Sequence, residues 1–78
     1  MTTFNQIQET IAATLNISPS MIKEDTKDSD VTAWDSLGHV NIMMSLEQTF
    51  DVFLEVEDFA QLKSVPAIVD YLRNQGVE

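Results

Sequence analysis

The chain has 78 residues, no cysteine, 4 Lys plus Arg and 13 Asp plus Glu, for a net charge of −9. Such a chain makes one small domain, residues 1–78, with no disulfide, no thiolate metal site and no sulfur nucleophile of its own. The charge excludes the basic footprint that nucleic acid or an anionic membrane demands, and it favours partners with basic docking surfaces.

No run approaches the ~18 apolar residues of a membrane span. Met1-Thr2-Thr3-Phe4-Asn5-Gln6 lacks the basic start and apolar stretch of a secretory leader, so a cytoplasmic protein is expected. Phe4, Ile7, Ile11 and Leu15 recur at helical spacing and predict a first helix over about 3–15. Thr3 with Gln6 fits a capping box at its start, and Asn16 a stop.

Residues 16–35 are expected to form a long connection. Ser18-Pro19 opens one short turn there, with Pro19 at the first helical position. Met21 and Ile22 are expected to tuck into the core. The acidic stretch Glu24 to Asp30 is a solvated loop, tied down by Val31 and Trp34. Read as a calcium loop from Asp28, it puts Ala33 where a glycine is needed and His39 where a glutamate is needed, so it fails that pattern.

Asp35 can cap a second helix over about 36–50. Its apolar positions are Leu37, Val40, Met43, Met44, Leu46 and Phe50; Leu37, Val40 and Met44 follow the i, i+3, i+7 spacing of its expected stripe, and Val40, Met43 and Phe50 extend it to the neighbouring face. Ile42 falls off this stripe and is expected to be exposed. Val52, Phe53 and Leu54 anchor the return of the chain. Residues 56–61 make one short helix carrying Phe59. Ser64 then caps a last helix over about 65–75, with Pro66 in its first turn, Val65, Ile68, Val69 and Leu72 on its face, and Gly76 at its end. The expected fold is all-α: a four-helix bundle of three main helices and one short one, with a long loop between the first two.

Ser36 follows a capping aspartate, so it is expected outside the bundle at a helix N-terminus. Unpaired N–H groups and the helix dipole there favour a negative substituent. His39 lies at i+3 from Ser36, but there is no Gly-x-Ser-x-Gly elbow and no sheet to mount a hydrolase pair. The histidine is expected at the surface or its boundary. No catalytic residue and no metal ligand is expected.

Asp35-Ser36-Leu37 at the start of the second helix resembles the attachment motif of acyl and peptidyl carrier proteins of the stand-alone type. The likeness extends through the acidic balance, the first-helix stripe, the long loop, Leu46-Glu47 with Phe50, and the closing Leu62 to Leu72 segment. It implies that Ser36 Oγ receives 4′-phosphopantetheine from coenzyme A through a separate phosphopantetheinyl transferase. The arm's thiol then holds an acyl or aminoacyl group as a thioester, supplying the sulfur this chain lacks. Asp35 presents the serine and helps the transferase bind its metal-bound coenzyme A, and Leu37 is partly buried and partly a transferase contact. The family can hide its acyl chain between the helices. Met43 and Met44 suit such a cavity or plain core packing.

Carriers of housekeeping fatty-acid synthesis usually line the second helix with acids. Here Gly38, Asn41 and Gln48 stand at matching positions, while Asp35 and Glu47 remain. Trp34 to His39 looks closer to carriers of specialised polyketide, nonribosomal peptide, modified-lipid or saccharide routes, and to D-alanyl carriers. The expected partners are the transferase and acyl or aminoacyl ligases, synthases or transferases with basic or apolar docking surfaces. They would meet a monomer through Asp35, Leu37, Asn41, Met44 and Glu47, with Ile42 nearby. Housekeeping fatty-acid synthesis is the runner-up pathway. A helical interaction module that is never modified is the alternative of another class.

Overall fold

The computed structural model describes residues 3–76. It contains helices α1 (Thr3–Leu15), α2 (Ser36–Phe50), α3 (Val56–Phe59) and α4 (Val65–Asn74), with 3₁₀ turns at Pro19–Met21 and Asp28–Asp30 in the long connection. Among the described residues there is no strand, only an isolated antiparallel bridge between Lys27 and Ser64.

Helix α1 buries Ile7 and Ile11, as its spacing predicts, and Ala12 beside them, while Phe4 and Leu15 of the expected stripe are partly buried against the core. It ends at Asn16, whose φ of 59° is left-handed, and Ile17 N–H closes the end on the Ala12 carbonyl at 2.9 Å. The expected capping box does not form. Thr3 lies inside the first turn, buried, and its Oγ1 has no hydrogen-bond partner. A residue already in helical conformation turns its side chain onto the helix surface and not back over the amide ends.

The long connection is fastened at both of its margins. Gln8 Nε2 donates to the carbonyls of Pro19 (2.9 Å) and Ile22 (2.8 Å), holding the first turn on α1. Ile22 is fully buried, but Met21 is exposed, because the turn presents only one of the pair to the core. Further along, Asp28 N–H donates to the Lys63 carbonyl (2.9 Å) and Val65 N–H to the Thr26 carbonyl (2.8 Å), which ties the loop to the start of α4. Val31 and Trp34 are buried as expected.

Helix α2 buries Met43 and Leu46 of its expected stripe but turns Leu37, Val40 and Met44 outward and Ile42 inward. The buried residues are Gly38, His39, Ile42, Met43 and Leu46. Ile42 is 0% exposed, whereas Leu37 is 70%, Val40 41% and Met44 51% exposed. The stripe 39, 42, 43, 46 also has helical spacing, and the helix is apolar on two faces. The face with Asn41 and Gln48 takes the water. Ile42 is therefore a core residue and cannot belong to a partner surface. His39 is likewise in the core.

After Asp51, a second left-handed residue at φ 54°, the return segment buries Leu54 and leaves Phe53 exposed. Neighbours in an extended segment point to opposite sides, so both cannot anchor it. Helix α4 matches expectation. Ser64 Oγ accepts from Ala67 N–H (3.2 Å), Pro66 lies in the first turn, and Val65, Ile68 and Leu72 are buried. Gly76, at φ 93°, follows its end.

The two faces of α2 can be told apart by stability. Ile42→Ala is expected to cost about 2–5 kcal/mol through the cavity it leaves, and Val40→Ala well under half of that. Denaturant midpoints measure both, and equal losses would contradict the assigned orientation.

Candidate functional site

The N-terminal tip of α2 is set by Asp35, whose carboxylate accepts from Gly38 N–H at 2.7 Å. This satisfies one of the amides that a helix start leaves without an intrahelical acceptor. Ser36, the first helical residue, is exposed. Among the described residues nothing hydrogen-bonds its Oγ. Leu37 beside it points to solvent rather than being shared with the core.

Gly38 permits this geometry by lacking a side chain. A Cβ there would stand 2.7 Å from the Ala33 carbonyl oxygen, 2.9 Å from Leu15 Cδ2 and 3.2 Å from Asp35 Oδ1. The loop backbone, the end of α1 and the capping carboxylate all close on that one position.

Below the tip, His39 is 4% exposed and uses both ring nitrogens. Trp34 Nε1–H donates to Nδ1 at 2.9 Å, and Nε2 lies 2.6 Å from the Phe59 carbonyl oxygen. Since Nδ1 accepts, Nε2 carries the proton and donates. The Phe59 ring meets the imidazole edge-on, with centroids 6.4 Å apart. The imidazole thus joins the loop, α2 and α3. Leaving the indole N–H and the Phe59 carbonyl unpaired would cost about 1–3 kcal/mol each. With both nitrogens engaged, His39 is not a base for Ser36.

A surface groove of about 450 Å³ opens beside Ser36. Trp34, His39 and Phe59 line it together with Val40 and Val56, and Asp28 and Lys63 give it a polar side.

Of the other expected contact residues, Asn41 and Met44 are exposed on the same face of α2 as Leu37 and Val40. Glu47 is half-buried, and its Oε2 accepts from Leu54 N–H at 2.9 Å. It braces the return loop. The sequence carried a signal for His39 in its 39, 42, 43, 46 spacing. It carried none for the Glu47 brace, which depends on how the loop folds back. Among the described residues no group of three or more His, Asp and Glu side chains is placed to hold a metal ion, and no helix is long and apolar enough to cross a membrane.

The phosphopantetheine attachment site family matches residues 5–72, a span that includes Ser36. The chain belongs to the acyl carrier protein family. It is 30% identical to an acyl carrier protein of Sulfurovum sp. over 95% of this chain and 99% of that one. It is 31% identical to an acyl carrier protein of Wolinella succinogenes over 92% of this chain and 95% of the relative. For one from Bdellovibrio bacteriovorus the figures are 30% identity and 91% of each chain. Members of the family are carriers, not enzymes, and the phosphopantetheine site implies that prosthetic group. The residues here fit it: an exposed hydroxyl at a helix N-terminus favours a phosphodiester, and a groove lies alongside.

Tyr71 on α4 donates its hydroxyl to Asp58 Oδ2 on α3 at 3.0 Å. Burial first, then the hydrogen bond and negative charge of Asp58, and then Glu55, raise the phenol above its ordinary 10.0. A raised folded value means that the stabilisation is complete below about pH 10 and is lost as pH climbs through the folded value. Tyr71→Phe is expected to lose about 1 kcal/mol at neutral pH. The gap to wild type should shrink above about pH 10. Denaturant titrations across pH measure it, and a gap that does not narrow would mean that the bond adds nothing.

Proposed function

We propose that the chain carries acyl or aminoacyl groups as thioesters on a 4′-phosphopantetheine arm attached at Ser36, for a specialised biosynthetic pathway. The exposed Ser36 hydroxyl at the tip of α2 carries the assignment. In the loading step Ser36 Oγ forms a bond to the pantetheine-side phosphorus of coenzyme A. The pyrophosphate P–O bond breaks and adenosine 3′,5′-bisphosphate leaves. The hydroxyl proton passes to a base of the phosphopantetheinyl transferase, because His39 is committed elsewhere. Asp35 holds the helix start in place while Ser36 and Leu37 face the transferase.

The exposed face of α2 supports a specialised pathway over housekeeping fatty-acid synthesis. Leu37, Val40, Asn41 and Met44 are exposed there, and of the acids beside them Asp35 caps the helix start and Glu47 is bound to the return loop. A partner must therefore meet an apolar face, with basic residues useful only at its margins. Leu37, Asn41 and Met44 form the contact, and Ile42 does not.

Incubation with coenzyme A and a broad-specificity transferase is expected to add one phosphopantetheine to wild type and none to Ser36→Ala, by intact mass. A wild type that stays unmodified would favour an interaction module instead. Met44→Lys is expected to slow the cognate ligase or synthase at least about tenfold while leaving the melting temperature unchanged. Efficient elongation on the wild type by housekeeping fatty-acid enzymes would overturn the pathway assignment.

A further inference from the structure

We infer that this carrier keeps an acyl cargo outside the helical core, because the hydrogen-bonded imidazole of His39 bars the way in. The inference rests on the carrier function proposed above. It concerns where the cargo lies.

An acyl chain attached through Ser36 can run along the outer groove or turn inward along the buried face of α2. The inward route starts at His39, one helical turn below the tip, and continues past Ile42, Met43 and Leu46, all within about 1% of full burial. The imidazole is held from both sides, by the indole N–H of Trp34 and by the carbonyl of Phe59. A chain that lifts it strands that donor and that acceptor in a place the chain itself makes drier. An alkyl group has no hydrogen bond to give in return. Roughly three to seven methylenes are needed merely to offset the two stranded groups, before any cost of ordering the chain. An acyl group of two to about four carbons cannot open this path.

The groove serves a short group better. Its volume of about 450 Å³ is bounded by Val40, Val56 and Phe59, with Asp28 and Lys63 on its polar side. The end of the arm and a small acyl group can rest there without breaking any bond of the fold. The thioester then stays within reach of water and of a partner enzyme.

The test loads holo protein with butyryl or octanoyl groups and follows two readouts, hydroxylamine cleavage of the thioester and ¹H–¹⁵N spectra of the core amides. In wild type the two thioesters are expected to cleave within about twofold of each other, since cleavage follows the exposed fraction. The amides of Ile42, Met43, Leu46 and Ile68 are expected to stay in place under octanoyl. In His39→Ala the octanoyl thioester is expected to cleave at least about fivefold more slowly than in wild type, with those amides shifted. Trp34→Phe, which keeps a ring and removes only the N–H donor, should move the same way and serves if His39→Ala does not fold. Long-range ¹H–¹⁵N spectra of the unloaded protein should show His39 protonated on Nε2. Wild-type octanoyl protected about fivefold with shifted core amides would overturn the inference. So would variants that give octanoyl no added protection. A chain whose mass does not rise on incubation with coenzyme A and transferase fails at the carrier function itself, before any cargo is compared.

Discussion

The position of the Ser36 hydroxyl depends on an imidazole with no freedom left. His39 accepts from Trp34 at the end of the long loop and donates to the backbone of Phe59 in α3. These two segments flank the tip of α2. Fixing them together fixes where the loop must end, and therefore where Asp35 can cap the helix and where Ser36 emerges. Gly38 fits the same constraint from the other side, since the loop backbone and α1 crowd its Cα. A buried polar group whose bonds are all made favours one arrangement over nearby slipped ones, because each slip would leave some of them unmade.

Charge and contact are divided over the surface. The net charge of −9 comes largely from the connection around Glu24 to Asp30 and from the stretch Asp51 to Asp58. The exposed face of α2 between them is apolar or uncharged, and Glu47 turns its carboxylate to the return loop. Acids around an apolar face act over distance to steer a basic partner, while the contact itself discriminates by shape and apolar area. A carrier must dock and leave repeatedly, and an exposed apolar face with little fixed charge is consistent with brief encounters.

Much of the architecture was legible in the residues. The ends of α1 and α4, the Ser18-Pro19 turn, the Asp35 and Ser64 caps and the anchoring of Val31 and Trp34 are local matters of spacing, capping and proline geometry. The α2 faces were only partly legible, because Leu37, Val40 and Met44 and the alternative His39, Ile42 and Leu46 have equally good helical spacing. Only the neighbours to be covered decide between two apolar stripes. The same ambiguity misplaced His39, whose polar ring reads as a surface residue until its two partners are known. Met21 and Phe53 failed for a simpler reason: in a turn or an extended segment only one of two adjacent apolar residues can face inward.

By itself the sequence determined an acidic, cysteine-free, all-helical chain with a serine behind a capping aspartate, because composition, period and caps act within one turn of the backbone. Tertiary structure alone decided which side of α2 meets water, that Glu47 braces a loop, and that His39 lies buried between Trp34 and Phe59. Those outcomes depend on groups distant in the chain, 20 residues apart for the His39–Phe59 bond. No local preference of either residue encodes the distance between them.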